Sequence, residues 1–393
     1  MRRGSYTIGY CTNVHAGASL AESRANLEKY ALAVKARVSP AEPMGVGLWL
    51  SANSARELSD AGHVGEFGEW LAANGLLPYT LNGFPYGDFH QEVVKHRVYK
   101  PTWADADRLD YTQQLVDILH AILPAGADGS ISTLPLEWGQ PPPSPERLRQ
   151  SAENLRAAAR HMAELEQRTG RLIHLCIEPE PGCVFDRAAH IVQFFQEHLL
   201  PGSNEAEVRR HIRVCHDVCH AVVMFEEQVA VLELYQQAGI DVGKIQISSA
   251  VIANFESGDA ARRREAFEQL SRFNEPRYLH QTVVRRAGRE TFHEDLPAAL
   301  AAEGKNLTGE WRTHFHVPVY LQQFGALQGS QPQISECLAH FGRLTSCQHL
   351  EVETYAWGVL PAALQQPDLA AGIAEEMTWL DAELSRHSVQ GAA

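Results

Sequence analysis

Ile212-Arg-Val-Cys-His-Asp-Val-Cys-His-Ala221 decides how this chain is read, because a short apolar strand ends there on polar groups able to bind a metal. Asp217 and His220 are the pair at its end. Two other β-rich runs, Leu172-Ile-His-Leu-Cys-Ile-Glu-Pro-Glu-Pro-Gly182 and Gln348-His-Leu-Glu-Val-Glu-Thr-Tyr355, also finish in carboxylates. Three strands thus deliver Glu178, Asp217 and Glu353. In a barrel of parallel strands the C-terminal strand ends face one pocket, so carboxylates far apart in sequence converge there. On an open surface they would simply be solvated.

Working outward, strands alternate with helices. Tyr6-Thr-Ile-Gly-Tyr-Cys-Thr12 reads as a first strand, and Ser19-Leu-Ala-Glu22 supplies a capping box for a helix to about residue 38. Gly45-Val-Gly-Leu-Trp-Leu50 and Leu77-Pro-Tyr-Thr-Leu-Asn82 are the next two strands, with a helix over 57–73 between them that stops before Gly75. Leu115, Ile118, Leu119 and Ile122 recur at helical spacing, which predicts a helix over 107–123 ending at Pro124. Ile131-Ser-Thr-Leu134 follows as a fourth strand. Ser144-Pro145 then caps a long helix that stops near Gly170. Strands at 172–178, 212–217 and 244–248 are spaced by helices over 186–199 and 226–237. The pattern lapses before Leu350-Glu-Val-Glu353, an eighth strand, and a last helix at about 367–386.

That lapse of roughly a hundred residues is too long for an ordinary connection. It holds helical stretches at 260–273 and 294–303 and two β-like runs, Tyr278-Leu-His-Gln-Thr-Val283 and Thr313-His-Phe-His-Val-Pro-Val319. We read the two runs as a hairpin or extra sheet outside the ring, bringing histidines over its mouth. Eight βα units predict a (β/α)8 TIM barrel, an α/β fold, rather than a doubly wound sheet. No glycine-rich phosphate loop follows the first strand, which weakens a Rossmann reading. The expected organisation is one TIM-barrel domain over 1–393, with an insertion or lid over 251–345.

Composition narrows the function. The 393 residues are 45% hydrophobic and 21% charged, as in globular proteins of one large domain or two modest ones. A net charge of -14 argues against nucleic-acid binding, which usually leaves a basic footprint. Seven cysteines, with no apolar leader after Met-Arg-Arg-Gly-Ser-Tyr, fit reduced thiols and a cytoplasmic location. No run is long enough to span a bilayer, so direct membrane insertion is not expected.

Each candidate site residue has a plainer alternative. Asp217-x-x-His220 offers the mixed oxygen and nitrogen shell of a catalytic divalent metal, yet Asp217 can equally cap the next helix while His220 packs. A zinc knuckle of Cys215, His216, Cys219 and His220 is disfavoured, because a strand points Cys215 and His216 to opposite faces. Pro179 holds Glu178 extended, and Glu180 follows two residues on: one for metal and one for substrate, or both plain loop carboxylates. Glu353 sits nearer the rim than Glu351. His314-Phe-His316 places two imidazoles on one side of a strand, a common way to hold a metal and also a common sheet filling. His280, His15 and His90 are weaker instances. A loop over 82–103 offers Asn82, Phe84, Tyr86, Phe89, Tyr99 and Trp103, with Lys95, Arg97 and Lys100 for an anionic group or for solvent.

At these residues the chain resembles the xylose isomerase-like barrel superfamily, which includes sugar isomerases, sugar epimerases and endonuclease IV. Val214-Cys-His-Asp-Val-Cys-His-Ala221 resembles an endonuclease IV signature whose Asp and His are metal ligands, implying that role for Asp217 and His220. Ile177-Glu178-Pro resembles the strand-five glutamate and Val352-Glu353-Thr354 the strand-eight Glu-Thr. Gln246 stands where the superfamily usually has a metal-binding histidine, so either its carbonyl ligates or His316 takes over. Asn82 and Pro135 stand where a trinuclear nuclease would end strands three and four in histidines. Asn82-Gly-Phe-Pro-Tyr-Gly, the stretch from Val94-Lys to Tyr99-Lys-Pro-Thr-Trp103, Ile131-Ser-Thr-Leu-Pro135, Glu178-Pro-Glu-Pro-Gly182 and His314-Phe-His-Val-Pro318 resemble the EboE family of metabolite-traffic proteins. That resemblance covers nearly the whole chain. It implies a role beside other proteins of one gene cluster in handling or exporting a secondary metabolite.

The expected cofactor is a divalent ion, zinc, manganese or magnesium, held by Glu178, Asp217 and Glu353 with His220, Gln246 or His316. The expected activity is metal-dependent isomerisation or epimerisation, with Glu178 and Glu353 moving the proton. Metabolite binding without turnover is the alternative, and a phosphodiesterase of the endonuclease IV kind comes third. The ligand, a small polyhydroxylated or prenylated metabolite, is expected between the mouth and a lid made of the 82–103 loop and residues 277–320. Asn82, Phe84, Tyr86, Lys95, Lys100, Trp103, His280 and His314 are expected to contact it.

Overall fold

Strand sequences such as Ile173-His-Leu-Cys-Ile177 and Met44-Gly-Val-Gly-Leu-Trp49 are buried along their whole length, as in a parallel sheet covered on both faces. In the computed structural model, which describes residues 1–60, 62–256, 258–366 and 368–390, they close into a ring. Its first seven strands are β1 (Tyr6–Cys11), β2 (Met44–Trp49), β3 (Leu76–Asn82), β4 (Gly129–Thr133), β5 (Ile173–Ile177), β6 (Ile212–Asp217) and β7 (Val242–Ile247). A second sheet follows in β8 (Val251–Asn254), β9 (Thr282–Arg286), β10 (Arg289–His293), β11 (Glu310–Thr313), β12 (Gln323–Phe324) and β13 (Leu327–Gly329). The last barrel strand, β14 (His349–Val352), pairs in parallel with β7 and β1, and β1 pairs with β2, closing a (β/α)8 TIM barrel. A two-residue strand, Arg2–Arg3, folds back on β1.

The helices arise largely where capping chemistry puts them. Ser19 and Glu22 form the capping box. Ser144 caps the helix Pro145–Thr169, and Gly170 ends it at φ 71°, a left-handed conformation open to glycine at little cost. One expected helix, 57–73, is two: Ala52–Asp60 and Val64–Ala73, separated by a turn in which Gly62 takes φ +66°. Ala61 lies outside the described residues, as does Pro367, the expected start of the last helix, which runs Leu369–Gln390. Short helices at Glu205–His211 and Val218–Val223 were not expected. Among the described residues no helix is long and apolar enough to cross a membrane.

The excursion after β7 is an all-antiparallel sheet in the order β10-β9-β11-β8-β13-β12, carrying the helices Ala260–Ser271 and Leu296–Glu303. The two β-like runs do pair, with Thr282 opposite Thr313, outside the barrel ring. Their bounds shift, however, and residues 314–318 lie outside any strand. The helix Gln331–Leu344, overlooked in the sequence, packs between Gln228–Gln237 and Leu369–Gln390 as a member of the outer ring. The inserted sheet therefore ends near residue 330 and belongs to the connection on the C-terminal face of the barrel, where loops build active sites.

Beneath that face the barrel interior holds an ion pair. Lys244 on β7 and Glu351 on β14 are fully buried, with Nζ 2.7 Å from Oε2. Gly47 on β2 makes the space: a Cβ there would lie 1.3 Å from Glu351 Oε1.

Candidate metal centre

The three strand-end carboxylates converge. Glu178 follows β5, Asp217 ends β6 and Glu353 follows β14, and one ligand oxygen from each lies within 4.8 Å of the others. All three are buried. Asp217 does cap the helix Val218–Val223: its Oδ1 accepts from the His220 amide at 2.8 Å and from Ser248 Oγ at 2.8 Å. Capping occupies one oxygen only. Oδ2 of Asp217 and Oε2 of Glu178 are buried with no hydrogen-bond partner among the described residues, and such groups are costly unless something else satisfies them. Glu353 Oε1 is oriented by Asn13 Nδ2 at 2.7 Å and Asn82 Nδ2 at 3.0 Å.

His316 completes the cluster. Its Nδ1 donates to the Glu353 carbonyl at 2.7 Å, so the lone pair sits on Nε2, which is buried, unpartnered and 4.0 Å from Asp217 Oδ2. Fixing one ring nitrogen by a backbone acceptor is how metal-binding imidazoles are usually held. A divalent ion fits this donor set of three carboxylates and an imidazole. Gln246 pairs with Asp217 and Glu351 across the strands, and both of its amide atoms are buried without partners, but it does not line the cavity above.

That cavity leaves about 60 Å³ for the centres of water-sized molecules. Its floor is polar, with Asn13, Glu178, Glu180, His220, His314, His316 and Glu353, and its walls are Phe84, Phe89, Val94, Tyr99, Tyr278 and Tyr355. Of the residues expected to meet a ligand, Asn82, Phe84, Lys95 and His314 line it. Lys95 is already paired with Asp295 at 2.5 Å. The other four lie away. Trp103 is in the core, donating from Nε1 to Thr133 Oγ1 at 3.1 Å. Tyr86 packs edge-on against Tyr111. Lys100 faces a separate surface cleft beside Trp138 and Pro141. His280 stacks on Phe315 and bonds Glu275 and the His314 carbonyl, which fixes the covering segment. His90 bonds the Asn13 carbonyl, and His15 bonds Tyr10. His216 turns to Gln228, so no knuckle forms with Cys215.

Three features of the site escape a reading of the sequence. Asn13 stands just past the end of β1, a strand-end signal of the same kind as Glu353, and was overlooked because it carries no charge. Tyr278 and Tyr355 come from the insertion and from beyond β14, and only tertiary packing brings them to Phe89. Gln281 donates to Glu180 Oε1 at 3.0 Å, where Tyr99 also donates at 2.8 Å.

The cluster is electrostatically poised. Burial, then repulsion from Glu353 and Asp217, raises Glu178 well above the usual carboxylate range. Burial, then Asp217 and Glu351, pushes Glu353 up to about 8. Burial lowers His316 to about 4, so its ring is neutral at pH 7. A carboxyl with a raised folded-state pKa binds more protons folded than unfolded, so its stabilising effect is present below about 4.5 and is lost as pH rises through 8. Buried histidines act in the opposite sense but are finished near their unfolded pKa of about 6.5. Metal-free protein is thus expected to lose melting temperature between pH 7 and pH 8.5, while manganese affinity rises because the ligands must be deprotonated. Thermal melts and metal titrations across that interval check it. A flat or rising metal-free melting temperature would contradict the arrangement.

A (β/α)8 barrel with buried carboxylates gathered at its C-terminal mouth is the class that fold and site define. Among solved structures, the chain is similar to a xylose isomerase-like TIM barrel protein from Mycobacterium smegmatis in complex with magnesium, at 10% identity and TM-score 0.54, covering 98% of this chain and 99% of that one. It is also similar to a xylose isomerase domain protein from Alicyclobacillus acidocaldarius, at 11% identity and TM-score 0.49, covering 97% and 99%. No family model and no curated protein sequence matches the chain. The fold is a (β/α)8 TIM barrel, similar to that of the Mycobacterium smegmatis protein.

Proposed function

We propose that this barrel is a divalent-metal-dependent protein of the sugar isomerase and epimerase kind, acting on a small metabolite. The observation that carries the reading is the convergence of unpartnered, buried atoms, Glu178 Oε2, Asp217 Oδ2 and His316 Nε2, beside Glu353. Glu178, Asp217, Glu353 and His316 would hold the ion. Bound zinc, manganese or magnesium would polarise a carbonyl or hydroxyl of the ligand. Glu178 and Glu353 stand on strands separated by β6 and β7 in the ring, so they approach a ligand from different sides and suit a proton removed by one and returned by the other. Asn13 and Asn82 fix Glu353 for that exchange.

The apolar walls formed by Phe84, Phe89 and Tyr278 support a ligand with an apolar as well as a hydroxylated part. The 82–103 loop and the insertion both border the cavity, through Phe84, Val94 and Tyr99 on one side and Tyr278 and Leu279 on the other, which is the basis of the lid role we assign them. A cytosolic role in secondary-metabolite traffic beside other proteins of one gene cluster, as the EboE resemblance implies, belongs to the same proposal. Gln246 favours a second reading, metabolite binding without turnover, since a neutral amide replaces the histidine that the superfamily resemblance leads one to expect at β7.

Mass spectrometry of co-purifying compounds, followed by deuterium wash-in from heavy water for those compounds and a panel of sugars and sugar phosphates, separates the two. Exchange that vanishes in Glu178→Gln and Glu353→Gln is expected. Tight binding without exchange would overturn the catalytic reading.

A further inference from the structure

Tyr278 and Tyr355 border a neighbouring cavity as well as the one over the strand ends. It measures about 360 Å³, and three connections bring basic side chains to it: His15 after β1, His90 after β3 and Arg277 in the insertion. Among the described residues no carboxylate lines it, although the chain carries a net charge of -14.

Hydrogen bonding leaves donors there without acceptors. The Arg277 backbone is fixed: its carbonyl accepts from the Val94 and Lys95 amides at 2.8 and 3.0 Å, and its amide donates to Glu275 Oε2 at 2.7 Å. The guanidinium, however, has no carboxylate partner among the described residues. Its Nε is buried without a hydrogen bond, and its contacts are with the ring and phenol of the adjacent Tyr278. Nearby carboxylates are engaged elsewhere, Glu275 Oε1 by the Tyr278 amide and His280, and Asp88 by the His90 amide. His15 is 3% exposed, with Nε2 3.1 Å from the Tyr10 hydroxyl, whose proton has no other acceptor among the described residues. The hydroxyl therefore donates, and His15 carries its own proton on Nδ1, which is buried and unpartnered.

The groups also share one positive field. Burial, then repulsion from His90 and Lys29, lowers His15 to about 3, so its ring is a neutral donor at pH 7. Burial lowers His90 too, and the Arg277 charge adds to that against the Asn13 carbonyl and Asp88. His90 donates from Nε2 to that carbonyl at 2.6 Å, and the Asn13 side chain in turn orients Glu353. Lys29 stands over Tyr30, which stacks on His15. A planar guanidinium with open N–H groups matches a carboxylate or phosphate better than any other side chain. The cations of the 82–103 loop are placed less well, since Lys95 is paired with Asp295 and Lys100 faces a separate cleft.

We propose that this cavity binds an oxyanion, phosphate or carboxylate, through Arg277 and His15, and that the metabolite handled at the strand ends carries such a group. The second step rests on the metabolite-binding role proposed for the mouth; the first does not.

The test is calorimetric titration of chelator-treated full-length protein with sodium phosphate and, in a separate arm, sodium acetate, at constant ionic strength in chloride, with circular dichroism confirming that each variant is folded. One saturable equivalent is expected, of phosphate if the group is a phosphate and of acetate if it is a carboxylate. Arg277→Gln is expected to weaken it by about tenfold or more, the loss of a hydrogen bond to a charged group. Arg277→Lys, which keeps the charge without the fork, is expected to fall between, and Lys100→Gln to bind as wild type does. No saturable binding of either anion, or binding that Arg277→Gln leaves unchanged, overturns the site. Manganese binding by the same preparation is read separately, so its failure would overturn the metal centre and leave the anion site standing. A co-purifying ligand with no acidic group would overturn the second step alone.

Discussion

Asp217→Asn is expected to weaken binding at the metal centre by more than about 100-fold while leaving the metal-free protein as stable as wild type, or more so. The separation follows from the two oxygens. Asn keeps an acceptor for the His220 amide and Ser248 Oγ, and Asn is as good a helix N-cap as Asp. The fold at the end of β6 is preserved. What goes is the unpartnered Oδ2 and its charge. Replacing even an outer partner of a metal ligand costs about 10–100-fold in affinity, so loss of an anionic ligand exceeds that range. Asp217 also raises both Glu178 and Glu353 by repulsion, so neutralising it relieves the metal-free protein. Competition with a chromophoric chelator and thermal melts of metal-free protein read the two effects separately. If Asp217 served only as a cap, metal affinity would be unchanged.

Lys244→Met is expected to cost about 3–5 kcal/mol, because it leaves Glu351 as an uncompensated buried charge. Both partners are fully buried, and Lys244 Nζ reaches Ser132 Oγ at 3.3 Å besides Glu351. Burial pushes the lysine down, but the charge and hydrogen bond of Glu351, with Cys215 and Cys11 nearby, together outweigh it and the ammonium is held above its ordinary value. The same charge offsets the carboxylates above it, lowering both Glu178 and Glu353. The double substitution Lys244→Met with Glu351→Met is expected to recover much of the loss, since replacing a buried pair by apolar residues is often neutral. Denaturant unfolding measures it. A single substitution costing less than about 1 kcal/mol would show that water or another group compensates Glu351.

The barrel was legible because its strands are short apolar runs that end in chemistry. Glu178, Asp217 and Glu353 each mark a strand end, and the structure brings them together. His314 and His316 stood out as a pair and meet at the mouth, with ring centroids 5.1 Å apart. The helix Gln331–Leu344 was legible too, since Ile334, Cys337, Leu338 and Phe341 keep helical spacing, but it was absorbed into the excursion. The rest depends on packing that the sequence does not mark. Trp103 and Phe84 lie on one aromatic loop, yet one enters the core and the other faces the cavity. Nothing near Lys95 in sequence marks its partner, because Asp295, which holds it, lies two hundred residues on.

Whether the strand ends form a metal centre is tested most directly by anomalous diffraction from a crystal grown with manganese or zinc and collected at the metal's absorption edge. A peak bounded by Glu178, Asp217, Glu353 and His316 is expected. A map with no peak there, or with metal only at surface carboxylates, would contradict it.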